Sequence, residues 1–222
     1  MSDASGRVAD AIGNWVDRGA PGWLKPYLRL TRLDRPIGWW LLLLPCWWSA
    51  ALAAIAAGQP GPSLWHLGLF LVGAVAMRGA GSTYNDIADR DFDPEVKRTR
   101  LRPLATREVT VREAAALAGA LALVSFALVL TQNRLTVLLS FAALAIAATY
   151  PLFKRFFAIP QAYLGIAFGF GIPMGFAAVL DALPPSAWWM LDGSVRRLAP
   201  KMGASACGSS PPRASRTTTR QG

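Results

Sequence analysis

Pro36-Ile-Gly-Trp-Trp-Leu-Leu-Leu-Leu-Pro-Cys-Trp-Trp-Ser-Ala-Ala-Leu-Ala-Ala-Ile-Ala-Ala-Gly58 contains no charged residue. A bilayer core about 30 Å thick takes roughly 20 residues of α-helix to cross. This stretch is long enough, and its apolar residues fall on every side of a helix rather than on one stripe. Residues 114–133, 135–153 and 158–180 are also uncharged. Residues 63–77 carry only His66, and the run continues through 79–83 past a single Arg78. A sixth run opens at Ser186-Ala-Trp-Trp-Met-Leu191 and stops abruptly. The reading is all-α: a multi-pass transmembrane helical bundle of about five complete spans plus the start of a sixth. The composition agrees, with 53% hydrophobic and 16% charged residues, against about a quarter charged in soluble domains.

The charges outside the runs set an orientation. Arg18, Lys25, Arg29, Arg32 and Arg35 precede the first span, and residues 59–62 after it are uncharged. Lys97, Arg98, Arg100, Arg102, Arg107 and Arg112 lie between spans two and three, and Arg134 alone follows span three. Lys154 and Arg155 follow span four, and Asp181 follows span five. Basic loops stay cytoplasmic, so the N-terminus is expected there. The net charge of +10 is read as orientation and attraction to the anionic bilayer surface rather than nucleic-acid binding. No secretory signal peptide is evident, since a long polar and basic leader precedes the first apolar run. Cys46 and Cys207 lack metal-ligand spacing.

The chemistry gathers at Asn85-Asp-Ile-Ala-Asp-Arg-Asp-Phe-Asp93. Asp86, Asp89 and Asp93 are spaced i, i+3, i+7, one face of a continued helix. Asn85 lies at its edge, and Asp91 projects to the other side. Carboxylates crowded on one face repel each other, and a divalent cation removes that penalty. Magnesium is typically held by one or two carboxylates, waters and phosphate oxygens. The nearby cations suit the phosphates themselves. The plainer alternative is a solvated acidic helix end paired with Arg90 or Lys97. The position at the end of a membrane span favours function.

Other polar positions are more ambiguous. Tyr150-Pro-Leu-Phe-Lys-Arg155 either anchors span four or contributes cations to a site. Arg78, two turns before Asn85, either receives a substrate carboxylate or pairs with a buried aspartate. Gly165 with Gly169, and Gly171 with Gly175, have the spacing of close helix packing. A cavity for a long apolar chain is the alternative. His66 is expected at the membrane interface. The Trp39-Trp40, Trp47-Trp48 and Trp188-Trp189 pairs are expected as interfacial anchors or lipid-facing bulk, and Pro45 to kink span one.

Several of these stretches together resemble the UbiA superfamily of membrane prenyltransferases, in particular its 4-hydroxybenzoate polyprenyltransferase branch. They are Arg32-Leu-Asp-Arg-Pro-Ile-Gly38, Arg78-Gly-Ala-Gly81, Asn85-Asp-x-x-Asp-x-x-x-Asp93, Lys97-Arg-Thr-Arg-Leu-Arg-Pro-Leu104, Tyr150-Pro-x-x-Lys-Arg155, Pro160-Gln161 and Leu164-Gly165. The likeness covers roughly residues 20–191. It implies a nine-helix bundle in the bacterial inner membrane and transfer of a polyprenyl group from its diphosphate to the ring of 4-hydroxybenzoate, ortho to the hydroxyl, for ubiquinone synthesis. It implies Mg2+ as cofactor, held by Asp86, Asp89 and Asp93. Lys97, Arg98, Arg102, Lys154 and Arg155 would bind the diphosphate, and Arg78 and Asn85 the aromatic acid.

The likeness also implies a second aspartate-rich motif and further spans, absent from this sequence. Residues 1–20 read as a polar leader and 21–191 as a partial prenyltransferase domain. Residues 192–222, with six basic residues from Gly193 onward and no acidic one, read as a disordered basic tail. A shifted reading frame near Asp192 is the expected origin of that tail, and a short paralogue with a genuine tail is the alternative. Three functions follow: the prenyltransferase, a catalytically inactive membrane remnant, and a cation pathway. The arginines and lysines beside the aspartates would repel cations and oppose the third. For this chain alone the expectation is no product above an Asp86→Asn control. Prenyl chain length and oligomeric state are not encoded legibly.

Overall fold

The structure, a computed structural model, describes residues 14–91, 102–156 and 160–198, with the side chains of 150–162, 164 and 196–198 left aside. The described residues are helical, with no strand. Two short helices come first, α1 (Trp15–Gly19) and α2 (Lys25–Leu30). Asn14 caps α1 by accepting from the Asp17 N–H at 3.1 Å. The Asp17 carboxylate accepts from Arg29 at 2.6 Å, and Lys25 donates to the Asp17 carbonyl at 2.9 Å. These contacts tie α1 to α2.

The long runs become α3 (Ile37–Ala56), α4 (Leu64–Ala88), α5 (Val111–Leu130) and α6 (Arg134–Phe156). Of these α3, α4 and α5 are long and apolar enough to cross a bilayer, and the apolar part of α6 is Arg134–Thr149. With the comparisons below, this makes the chain an integral membrane protein. Span five is divided at Phe170 into α7 (Pro160–Gly169) and α8 (Gly171–Leu180). The sixth run forms α9 (Pro185–Leu198), which continues seven residues beyond Leu191 with Ser194 against Gly169 of α7. The 191/192 change in composition is therefore not a break in the helix.

The packing follows the small residues. A Cβ on Gly171 would stand 2.6 Å from Cys46 Sγ, and one on Gly175 would overlap Ser49 Oγ and lie 2.9 Å from the Cys46 carbonyl. Of the two readings of this pair, close packing is the one realised. It seats α8 on α3 where side chains are absent. Pro45, just before Cys46, stands inside the continuous helix α3. Trp40 and Trp48 are exposed, as are Trp188 and Trp189. Trp47 instead turns inward and donates Nε1–H to the Leu67 carbonyl at 3.0 Å, joining α3 to α4. Asn133 caps α6 by accepting from the Thr136 N–H at 2.9 Å and donates to the carbonyl of Ala177 in α8.

At the other end of α4, Leu30, Leu104, Val109 and Ala114 form a small core with Tyr27, Ile87 and Leu117. Ser82 donates to the Leu30 carbonyl at 3.1 Å, and the bare Gly79 faces Thr31. A capping box, Thr110 with Glu113, starts α5 directly above this core. The α2–α3 link, the end of α4 and residues 102–110 are thereby fixed against one another.

Candidate functional site

The end of α4 carries the polar cluster. Helix α4 closes at Ala88, and Asp89 is its C-cap with φ −96° and ψ 2°. The helix face expected for Asp86, Asp89 and Asp93 therefore extends only as far as its first member and the cap. Asp93 lies outside the described residues, as do Lys97 and Arg98.

Asp86 and Asp89 have different surroundings. Asp86 is 1% exposed. Nη2 of Arg32 donates to its two oxygens at 2.9 and 3.0 Å, and Nη1 of Arg102 donates to Oδ1 at 3.0 Å. Burial of an ionised carboxylate is costly unless it is paired and hydrogen-bonded, and here two guanidiniums do both. Asp89 is half-buried and accepts from Asn85 Nδ2 at 3.0 Å. That contact joins two residues one helical turn apart.

The oxygen set of Asp89 and Asn85 suits a hard cation such as Mg2+, and Asp93 would enlarge it. Among the described residues, no three His, Cys, Asp or Glu side chains converge on one point. The fit therefore concerns donor chemistry at Asp89 and Asn85, with substrate oxygens and water completing the shell. Asp86 fits less well, because its oxygens already serve Arg32 and Arg102.

Arg78 is partly buried two turns before Asn85, and its guanidinium lies over α3 at Gly38. A Cβ on Gly38 would stand 2.5 Å from Arg78 Nε, so the glycine makes room for that side chain. Lys154 and Arg155 stand in the last turn of α6.

Two residues of the cluster went unassigned in the sequence. Arg32 reads there as an orientation charge and in the structure reaches Asp86. Asp34 lies two residues on, its side chain 8% exposed and 3.5 Å from Arg35 Nε through Oδ2. Its Oδ1 is buried without a hydrogen-bond partner. Burial raises its carboxyl above the ordinary value, while Arg35 and Arg32 pull it back. Both residues belong to the Arg32-Leu-Asp-Arg-Pro run, the one signal that pointed to them.

The sequence pattern of the UbiA prenyltransferase family matches residues 42–191. The chain belongs to that family. It is 60% identical over 165 residues to the 4-hydroxybenzoate octaprenyltransferase of Azoarcus sp. (strain BH72), covering 74% of this chain and 56% of that protein. It is 57% identical over 175 residues to the protein of the same name from Ralstonia nicotianae (strain ATCC BAA-1114 / GMI1000), covering 79% and 59%. A solved UbiA homolog from Archaeoglobus fulgidus, bound to GPP and Mg2+, aligns with TM-score 0.58 and 25% identity, over 77% of this chain and 66% of that one. The chain thus spans less than three fifths of the length of these two curated relatives. As a UbiA family member it carries the family's membrane-helical fold, with the polar cluster at the end of α4.

Proposed function

We propose that this chain forms the part of a prenyltransferase that receives the diphosphate end of a polyprenyl donor, for transfer to the ring of 4-hydroxybenzoate in ubiquinone synthesis. The observation that carries this reading is the juxtaposition at the end of α4: an amide–carboxylate pair, Asn85 and Asp89, next to the Arg32–Asp86–Arg102 cluster. It gives one small region both oxygen ligands for a cation and guanidiniums for phosphate. The relatives' names support the acceptor and donor, and the Archaeoglobus structure supports Mg2+.

On this reading Asp89, with Asp93 and Asn85, holds Mg2+. When bound, that ion offsets the charge that builds on diphosphate as the allylic carbon–oxygen bond breaks. Arg102 and Arg32 hold phosphate oxygens, and guanidiniums suit them by planar, multi-donor geometry. Lys97, Arg98, Lys154 and Arg155 add positive charge from the neighbouring segments. Arg78, held over Gly38, receives the carboxylate of the aromatic acid. The apolar spans accommodate the prenyl tail. The basic residues place the N-terminus and this cluster on the cytoplasmic side of a bacterial inner membrane, with residues 21–191 as the prenyltransferase portion and α9 carrying the helix past that boundary to Leu198.

The test is turnover by the chain in nanodiscs supplied with 4-hydroxybenzoate, a polyprenyl diphosphate and Mg2+. Prenylated product that is lost on chelation and in Asp89→Asn supports the proposal. Retained diphosphate binding without product would instead favour an inactive relative. Loss of both would remove the reading.

A further inference from the structure

Helix α1 has one buried face and one open one. Val16 is fully buried, whereas Trp15 is 56% exposed and Arg18, one turn on, is exposed beside it. Trp15 is held in place, because its Nε1–H donates to the Leu33 carbonyl at 3.1 Å. Leu33 comes four residues before Ile37, the first residue of α3. The Arg35 N–H donates to the Arg32 carbonyl at 3.1 Å, which keeps that link compact. Helix α3 has 20 residues, and at about 1.5 Å per residue these span about 30 Å, the thickness of the hydrocarbon core. Ile37 therefore marks a hydrocarbon boundary, and it is itself exposed. The headgroup layer beyond that boundary is about 5–7 Å deep. The Leu33 carbonyl, and the indole bonded to it, fall at that level.

The chemistry of the open face suits the same level. The Trp15 N–H is satisfied by the protein, so the rest of its ring offers apolar surface outward, as tryptophans of the interfacial belt do. Trp23, 72% exposed, stands in the turn that Lys25 draws onto the Asp17 carbonyl. The Asp17 carboxylate pairs with Arg29, which leaves Arg18 and Lys25 without a carboxylate partner among the described residues. We infer that α1 and the turn after it form a foot on the lipid headgroup layer, with Trp15 and Trp23 inserted between headgroups and Arg18 on lipid phosphates. The bilayer surface is the occupant because the patch is continuous with the start of α3 and its charge complements an anionic leaflet. The bond from Trp15 to Leu33 makes the foot a stop, since α3 cannot slide deeper without carrying α1 into hydrocarbon.

The test is depth-resolved fluorescence quenching. The full chain in nanodiscs of anionic phospholipid is compared with Trp15→Phe and with Trp23→Phe, and each difference in emission isolates one indole. Each is expected to be quenched at least about twofold more by lipids brominated high on the acyl chain than by lipids brominated near its end, and only weakly by acrylamide in water. Trp15→Phe also loses the bond to Leu33, whereas Trp23→Phe keeps it, and monodispersity on gel filtration checks that both fold. Arg18→Gln is expected to lower the ratio of lipid quenching to acrylamide quenching at Trp23 about fivefold, the effect of one cation at an anionic surface. The drop should shrink in zwitterionic lipid and at high salt. Free access of acrylamide to both indoles would leave the foot in water and overturn the inference. Protection from both kinds of quencher would put a second protein there, such as another copy of the chain, and would overturn it equally. So would a ratio that Arg18→Gln leaves unchanged in anionic lipid.

Discussion

Two contacts lock the early helices into place, and they work in opposite ways. Helix α8 sits on α3 because Gly171 and Gly175 lack side chains opposite Cys46 and Ser49. The end of α4 is tied to the α2–α3 link because Arg32, Asp86 and Arg102 carry charges that match. The first contact is close packing inside the apolar runs, with the Ser49 hydroxyl donating to the Gly171 carbonyl at 3.5 Å, and carries no charged side chain. The second is buried electrostatics at the end of a span, where each member is costly without the others. A seam made of absent atoms tolerates no addition. A cluster made of charges tolerates no subtraction. The first kind builds the scaffold, and the second can be rearranged by a ligand that brings charge of its own.

That contrast can be broken most severely at Gly175. Valine there would drive its Cβ into Ser49 Oγ and the Cys46 carbonyl, which is backbone and cannot swing aside. Gly175→Val is expected to cost about 3 kcal/mol or to prevent folding. Thermal melts in detergent check this, and the loss should be the same at low and high salt. A smaller effect belongs to the charged cluster. Arg102→Met removes one of two guanidiniums on Asp86 and leaves the Arg32 contacts standing, for an expected loss of about 1–2 kcal/mol. The difference between the two proteins should narrow as salt rises, to the extent that solvent reaches these arginines. If Gly175→Val proves salt-sensitive and Arg102→Met does not, the contrast is wrong.

The smallest effect concerns Asp34. Burial holds its carboxyl above the ordinary range, so the folded chain binds this proton more tightly than the unfolded one does. Stability from this group is then complete below the unfolded value of about 4 and declines as pH rises through the folded value. Asp34→Asn should flatten that decline, seen as a smaller change in Tm from acid toward neutral pH. A steeper decline in the variant would show that Arg32 and Arg35 outweigh burial.

Three of the five expected spans, α3, α4 and α5, were legible because a long run almost without charge has one physical meaning. The Gly171–Gly175 pair was legible as a packing surface, though not as the partner of Cys46 and Ser49, since spacing along one helix does not identify the helix it meets. Span five reads as one run, and the division at Phe170 is invisible to an apolar count. The aspartate cluster stands out in the sequence as a candidate site, but the different surroundings of its members do not. Helical spacing put Asp86 and Asp89 together, whereas the chain ends the helix at Ala88 and surrounds the two carboxylates differently. Arg32 illustrates the reason. Its partner is 54 residues away, and a pairing across segments leaves no periodic trace in either one.

The same separation sets an order of events during synthesis. Arg32 leaves the ribosome 54 residues before Asp86, a delay of roughly 3–10 s at translation rates of about 5–20 residues per second. Helix α3 is complete within that interval, while Arg32 has no aspartate at 86 to receive it. On the orientation proposed above, the basic link must wait in water on the side of synthesis and so holds α3 in one direction as it enters the bilayer. Only when the last turn of α4 emerges can Arg32 be drawn inward. The residue that first serves as a topological brake is later recruited as a structural part, and an insertion intermediate halted before Asp86 should leave that arginine open to protease.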